Sequence, residues 1–204
     1  MTRLSGTRIS RRHFTLLSLA ALGQPAALHA APLRYVLQNA DNSVGFAFTL
    51  SGIRQRGTMP VKSAEIEIDP ANLARTRVTV VMDVARARTG LAFATQAMLG
   101  PEVLDAARFP TIRFRSTTVT LGRDQRLSNG AQLAGDLTLR DVTLPIRLRA
   151  ALYRPPGSAP DALEQLSVHL SGVIRRSEFG ATGYADLVAD AVELDIRAVI
   201  GVTG

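Results

Sequence analysis

Along most of this chain apolar residues recur at every second position. In "SVGFAFTLSG", Val44, Phe46, Phe48 and Leu50 alternate with Gly45, Ala47, Thr49 and Ser51. In "RVTVVMDVARA", Val78, Val80, Met82 and Val84 share one face, and in "AQLAGDLTLRD" Leu133, Leu137 and Leu139 share a face with Gly135. The period continues through Leu144, Ile146 and Leu148, through Leu166, Val168, Leu170, Gly172 and Ile174, and through Val192, Leu194, Ile196, Ala198 and Ile200. Successive side chains of a strand point to opposite faces, so this alternation marks strands buried on one side. Turn-forming clusters ("NADNS", "DPANL", "SNG" and "RPPGSAPD") separate the runs. The stretch from Leu91 to Ala107 has helical character, interrupted at Gly100-Pro101. The pattern predicts a single all-β domain of about eight antiparallel strands with one short helical segment, a barrel or a sandwich.

A barrel of that size is either filled by its own side chains or open enough for one small ligand. The inward candidates are mostly Val, Leu, Ile and Ala, with seven Phe and no Trp in the whole chain. Gly45, Gly135 and Gly172, lying within strands, add room. Two readings stay open on the pattern alone: an internal pocket, or a core packed against the helical segment.

Composition narrows the function. The chain has no Cys, which excludes disulfides, thiol catalysis and Cys-based metal sites. The net charge of +7 is unevenly spread, because residues 1–30 hold Arg3, Arg8, Arg11 and Arg12 and no acid. Without them 20 basic residues face 17 acidic ones, a net of +3, too little for a nucleic-acid footprint. Those thirty residues run from a charged start through an apolar stretch, Leu16 to Leu22, to Ala26, Ala27, Ala30 and Ala31. The apolar stretch is too short for a membrane span, and the order is that of a secretory signal. Arg11-Arg12 followed by Phe14 predicts the twin-arginine type, with an ordinary signal as the plainer alternative. The expectation is a signal peptide over residues 1–30, a domain over 31–204, and an exported protein.

Candidate chemistry is sparse. His169 lies on the polar phase of its strand, and one outward histidine cannot assemble a metal site or a nucleophile–base pair. Glu65 and Glu67 share the face opposite Ile66 and Ile68 and read as a solvated rim. No Gly-rich phosphate loop follows a strand. No enzyme activity and no cofactor are expected.

Three blocks carry more information together than singly. They are "VLDAARFPTIRFRS" (residues 103–116), "GDLTLRDVTLPIRL" (135–148) and "RRSEFGATGYADLVADAVELDI" (175–196). In this order and spacing they resemble the YceI-like family, bacterial periplasmic polyisoprenoid-binding proteins, and the likeness runs from about Tyr35 to Ile200. The resemblance implies an extended, eight-stranded, antiparallel, lipocalin-like β-barrel. It also implies binding, transport or storage of an isoprenoid lipid, a quinone or a polyprenyl phosphate, in the lumen, and a periplasmic location. The alternative is a periplasmic stress or interaction protein whose barrel is filled by its own side chains. The expected partners are the lipid and a transient inner-membrane protein, with no nucleic acid and with a homodimer neither required nor excluded. The chain departs from the family pattern at Leu50 and Ser51, where a His is frequent, and at Ala94 and Thr95, where an Arg-Asp pair is frequent. Asp141 stands where Gly is usual. The first two changes remove polar groups from the mouth and favour a neutral, quinone-like head.

The lipid tail is expected along Phe46, Phe48, Val80, Met82, Phe114 and Leu139, entering near residues 91–101. Arg176 continues the inward phase of Ile174 and is the candidate for an anionic head group, because its fork suits phosphate. The alternative is an ion pair with Glu178 or Asp186 that pins the turn, with Phe179 plugged into the core and Gly180 at positive φ. The architectural reading is adopted for "RRSEFG".

Overall fold

A strand has two hydrogen-bonding edges, and closing the sheet on itself is the way to leave neither unpaired. The computed structural model describes residues 32–38, 42–70, 72–122, 130–159 and 162–203, so the expected signal peptide lies outside the described residues. Its strands are β1 (Leu33–Leu37), β2 (Ser43–Leu50), β3 (Ile53–Ile68), β4 (Arg77–Asp83), β5 (Arg88–Thr89), β6 (Thr111–Thr120), β7 (Ala131–Leu139), β8 (Val142–Tyr153), β9 (Gln165–Arg175) and β10 (Val188–Val202). One helix, α1 (Ala92–Leu99), and two 3-10 turns, Leu73–Arg75 and Arg176–Phe179, complete the described elements. Antiparallel pairing runs from β2 through β3, β4, β6, β7, β8 and β9 to β10, which returns to β2 and closes an eight-stranded barrel.

The two further strands are additions to that ring. β5 is a two-residue ladder on β3. β1 continues the stave begun by β2: both pair with β3 and with β10, β2 along Ile53–Pro60 and β1 along Ile66–Ile68 of β3. One stave is therefore made of two segments. Helical character is confined to Ala92–Leu99 rather than extending towards Ala107, because Gly100 ends the helix in extended backbone and turns follow.

Local chemistry sets the corners. Ser51 and Gly52 link β2 to β3 with φ of 48° and 79°, the doubly left-handed two-residue turn whose twist matches a hairpin. β3 shifts register between Val61 and Ser63, and β6 between Ser116 and Thr118. Each such bulge moves the inward phase by one residue. Gly57 and Met59 are buried before the β3 bulge, and Ile66 and Ile68 after it. Ile112 and Phe114 are buried before the β6 bulge, and Val119 after it.

The hairpins at 51–52 and 140–141, α1 and the 176–187 loop gather at one end, termed the helix end. The other, the β1 end, holds β1 and Leu73–Arg75. The buried apolar residues divide likewise. The larger cluster includes Val84, Phe114, Leu137, Leu148 and Phe179, and a smaller one at the β1 end comprises Tyr35, Ile66, Ile68, Leu166 and Ile200.

Candidate functional site

Whether an eight-stranded barrel is full or hollow depends on where its largest inward side chains point. Phe46 stands directly across the β2–β3 pair from Gly57, and a methyl group at Gly57 would collide with its ring. Phe114, paired with Leu137, reaches diagonally over Gly135, where a Cβ would sit 2.5 Å from the ring Cζ. The glycines let both rings lie along the wall instead of reaching the axis. The result is a cavity of about 430 Å³ whose wall is almost wholly apolar and runs from one end of the barrel to the other. That volume lies within the ordinary range of small-molecule sites, roughly 300–1,000 Å³. Of the two readings left open by the pattern, pocket and packed core, the structure has the pocket.

All seven sequence-predicted site residues stand on this wall. Phe46 and Phe48 contribute from β2 with ring centroids 6.3 Å apart. Val80 faces Phe114 and Met82 faces Ile112 across the β4–β6 pair, and Leu139 closes β7. Gly45 is on the opposite phase to Phe46 and adds no room inside, contrary to expectation; Gly57 supplies the space instead. The wall also includes Leu170, Ile174, Leu194 and Ile196, visible as alternation in β9 and β10. Phe93, Tyr184 and Leu187 complete it at the helix end. The last two sit in a loop, where no period could have revealed them.

Arg176 reaches the wall at the helix end and is only 7% exposed. Its Nε donates to the Ala189 carbonyl at 3.2 Å and its Nη2 to the Val188 carbonyl at 3.0 Å. Its Nη1 donates to the carbonyls of Ala181 at 2.6 Å and Gly183 at 2.7 Å. Two of these acceptors are available because β10 shifts register between Val188 and Val192. The expected ion pair with Glu178 or Asp186 is thus replaced by backbone carbonyls, which occupy four of the five guanidinium N–H groups. Architecture is the outcome, by a different partner set. Phe179 is buried beside it and Gly180 has φ 72°. Arg175 points outward, 3.6 Å from Asp190. The Ser177 amide donates to Asp190 at 2.9 Å and, ahead of the Ser177 hydroxyl and of the charges of Arg175 and Arg176, holds that carboxyl below its usual range. A second arginine, Arg140, donates to the carbonyls of Val103 and Gly180 at 3.1 and 3.0 Å and lies over the Phe109 ring.

The cavity meets solvent at this same end, where Phe93, Tyr184 and Leu187 are 63%, 46% and 54% exposed. At the β1 end the inward residues of the smaller cluster are covered, Tyr35 and Ile200 to 2% exposure, while Val36 and Tyr153 face solvent on the outer side. Tyr35 donates to the Leu163 carbonyl at 2.8 Å. Burial raises its phenol above the usual value, Glu164 adding to the shift and Arg154 opposing it. The Thr76 hydroxyl, also near this end, is buried with no hydrogen-bond partner.

Outside the barrel His169 is half exposed, its Nε2 2.8 Å from Asp195, which Arg197 also approaches at 3.4 Å. The hydrogen bond with His169 is the main reason the Asp195 carboxyl lies below its usual range. Among the described residues no three His, Asp or Glu converge as metal ligands. Arg176, the cation whose guanidinium reaches the cavity wall, is therefore engaged by the protein itself, while Arg197 turns its side chain to Asp195 outside the barrel.

A family model for the YceI-like domain matches residues 35–200. A UPF0312 protein of Enterobacter sp. (strain 638) is 29% identical over 148 residues, 72% of this chain and 72% of its own. The crystal structure of Burkholderia cenocepacia BcnA is similar with a TM-score of 0.68 at 19% identity, covering 80% of this chain and 99% of that one. A polyisoprenoid binding domain from Saccharophagus degradans, implicated in plant cell wall breakdown, gives a TM-score of 0.56 at 13% identity, covering 84% of this chain and 99% of its own. At such identities the structural likeness establishes the fold.

Proposed function

The chain belongs to the YceI-like domain family, and from that premise we propose that its barrel binds the apolar tail of one isoprenoid-type lipid, as a carrier or store rather than a catalyst. The observation that carries this reading is the apolar cavity of about 430 Å³. Because the cavity opens to solvent at the helix end, water inside it would leave this apolar wall hydrated. An apolar occupant removes wall and tail from water together, at about 0.8 kcal/mol for each buried methylene. The Saccharophagus degradans neighbour, a polyisoprenoid binding domain, supports the choice of ligand class.

The head group is neutral in this reading, as a quinone is. Arg176 is already engaged, so an anionic head inside the cavity would compete with backbone carbonyls for its cation. The ligand enters at the helix end, past Phe93 and Leu187. Arg11-Arg12 and the apolar run after them support export to the periplasm, tested by whether replacing both arginines with lysine leaves the precursor in the cytoplasm.

Native mass spectrometry of detergent-free protein, followed by solvent extraction, tests the ligand. A stoichiometric adduct that extracts as a prenyl chain with an uncharged head is the expected result, and Phe48→Glu abolishes it by placing a charge in the wall. A mass equal to the bare chain, unchanged after incubation with quinones, would overturn the proposal. Equal loading of a folded Phe48→Glu protein would move the site out of the lumen.

A further inference from the structure

Four large apolar side chains stand in solvent at the helix end: Ile53, Phe93, Tyr184 and Leu187. Nothing in the fold needs them exposed, and three of them form the lip of the cavity. The Ser51 amide donates to the Leu187 carbonyl at 2.7 Å, which sets the hairpin carrying Ile53 against that lip. The segment leading into α1 is tied to β3 on the same side, Gly90 donating to the Arg56 carbonyl at 3.2 Å and Arg88 pairing with Thr58. Phe93 thereby shares this side of the mouth with Arg54, Arg56, Arg86 and Arg88, all exposed. Among the described residues only Arg54 of these four is paired with a carboxylate, that of Glu193. The exposed acids of this end gather on the other elements of the mouth: Asp186 between Tyr184 and Leu187, Glu178 in the same loop, Asp141 in the 140–141 hairpin, and Glu102, whose carbonyl receives the Gly183 amide.

We propose that this mouth is laid on an anionic bilayer surface, the four apolar side chains entering the headgroup boundary and the arginines meeting lipid phosphates. The cluster of four exposed arginines on the side of the mouth that carries Ile53 and Phe93 selects an anionic bilayer as the occupant. The position of the apolar residues around the opening supplies the reason for docking there. A tail passing through water is disfavoured about four-fold per methylene, so a lipid moves between membrane and cavity most readily when the opening faces the membrane directly. The inference rests on the cavity being a lipid site.

Flotation with vesicles of phosphatidylcholine, alone or mixed with phosphatidylglycerol, tests it. The protein is expected to float with the mixed vesicles, less with phosphatidylcholine alone, and less as salt screens the arginines. Replacing Arg54, Arg56, Arg86 and Arg88 together by Gln weakens binding by about five-fold per arginine. Ile53→Glu weakens it through the apolar contact. Both variants take up an uncharged fluorescent prenyl probe as the parent protein does, which shows that the barrel is intact. Failure of the parent protein to float with mixed vesicles overturns the proposal, as does binding that neither variant weakens. Crosslinking of the mouth to a protein without vesicle binding also overturns it, in favour of a protein partner. Flotation by a protein that takes up no probe would uphold docking while overturning the lipid cavity.

Discussion

At the β1 end Ile200, a residue of the cavity wall, is 2% exposed; at the helix end Phe93, on the same wall, is 63% exposed. At the first end the described inward side chains cover one another as in a core. The second is held differently. Arg176 and Arg140 tie loops 100–109 and 176–189 through backbone carbonyls, so the loops are fixed without filling the lumen. A buried guanidinium with every used N–H on a carbonyl supplies directional bonds where apolar packing would have plugged the opening. Rigidity and an open mouth can then coexist.

That contrast breaks first at Arg176. Arg176→Met leaves four carbonyls without their donor and should destabilise the protein by about 3–5 kcal/mol, read from urea unfolding. A loss near zero would mean that the helix end is held elsewhere. Next, equivalent apolar truncations should separate the ends. Ile200→Ala is expected to cost about 2–4 kcal/mol. Phe93→Ala should change stability by less than about 0.5 kcal/mol and act instead on the rate of ligand uptake. A large stability loss at Phe93 would erase the distinction.

Titration sharpens it. The folded pKa of Asp190 lies below its unfolded value, so its stabilisation is complete above the ordinary carboxylate range and is lost as pH falls through the folded value. Tyr35 is the opposite case: its folded pKa is raised, so its contribution is complete below the ordinary phenol value, near 10, and is lost as pH rises through the folded value. Acid should therefore loosen the helix end and alkali the β1 end. Hydrogen exchange over residues 176–190 and 33–37 reads this out, and Asp190→Asn or Tyr35→Phe should flatten the corresponding arm. The smallest effect is at Thr76, where Thr76→Val removes an unpartnered buried hydroxyl and should raise stability by up to about 1 kcal/mol. A destabilised variant would reveal a partner for that hydroxyl.

Most of the barrel could be read along the chain, because alternation is a local property: the six apolar site residues lie on the wall for the same reason that they lie on one phase. β3 was the hard strand. Its inward residues are odd-numbered up to Val61 and even-numbered from Ala64, so the bulge at Lys62 cancels any single period across it. The glycine facing Phe46 was hidden with it.

The residues alone thus determined most of the strands and their inward faces, β3 excepted, the short helix and, through three motif blocks, the family. The tertiary structure decided what those faces enclose. A phenyl ring is inward in any register, but whether it crosses the lumen or lies along the wall depends on the residue it meets on the neighbouring strand, here Gly57 for Phe46 and Gly135 for Phe114. Arg176 is inward by phase, but its partners are the carbonyls that a displaced register in β10 and the adjoining loop turn towards it. Both outcomes depend on contacts between segments far apart in the chain, and a periodicity carried by neighbouring residues holds no record of them.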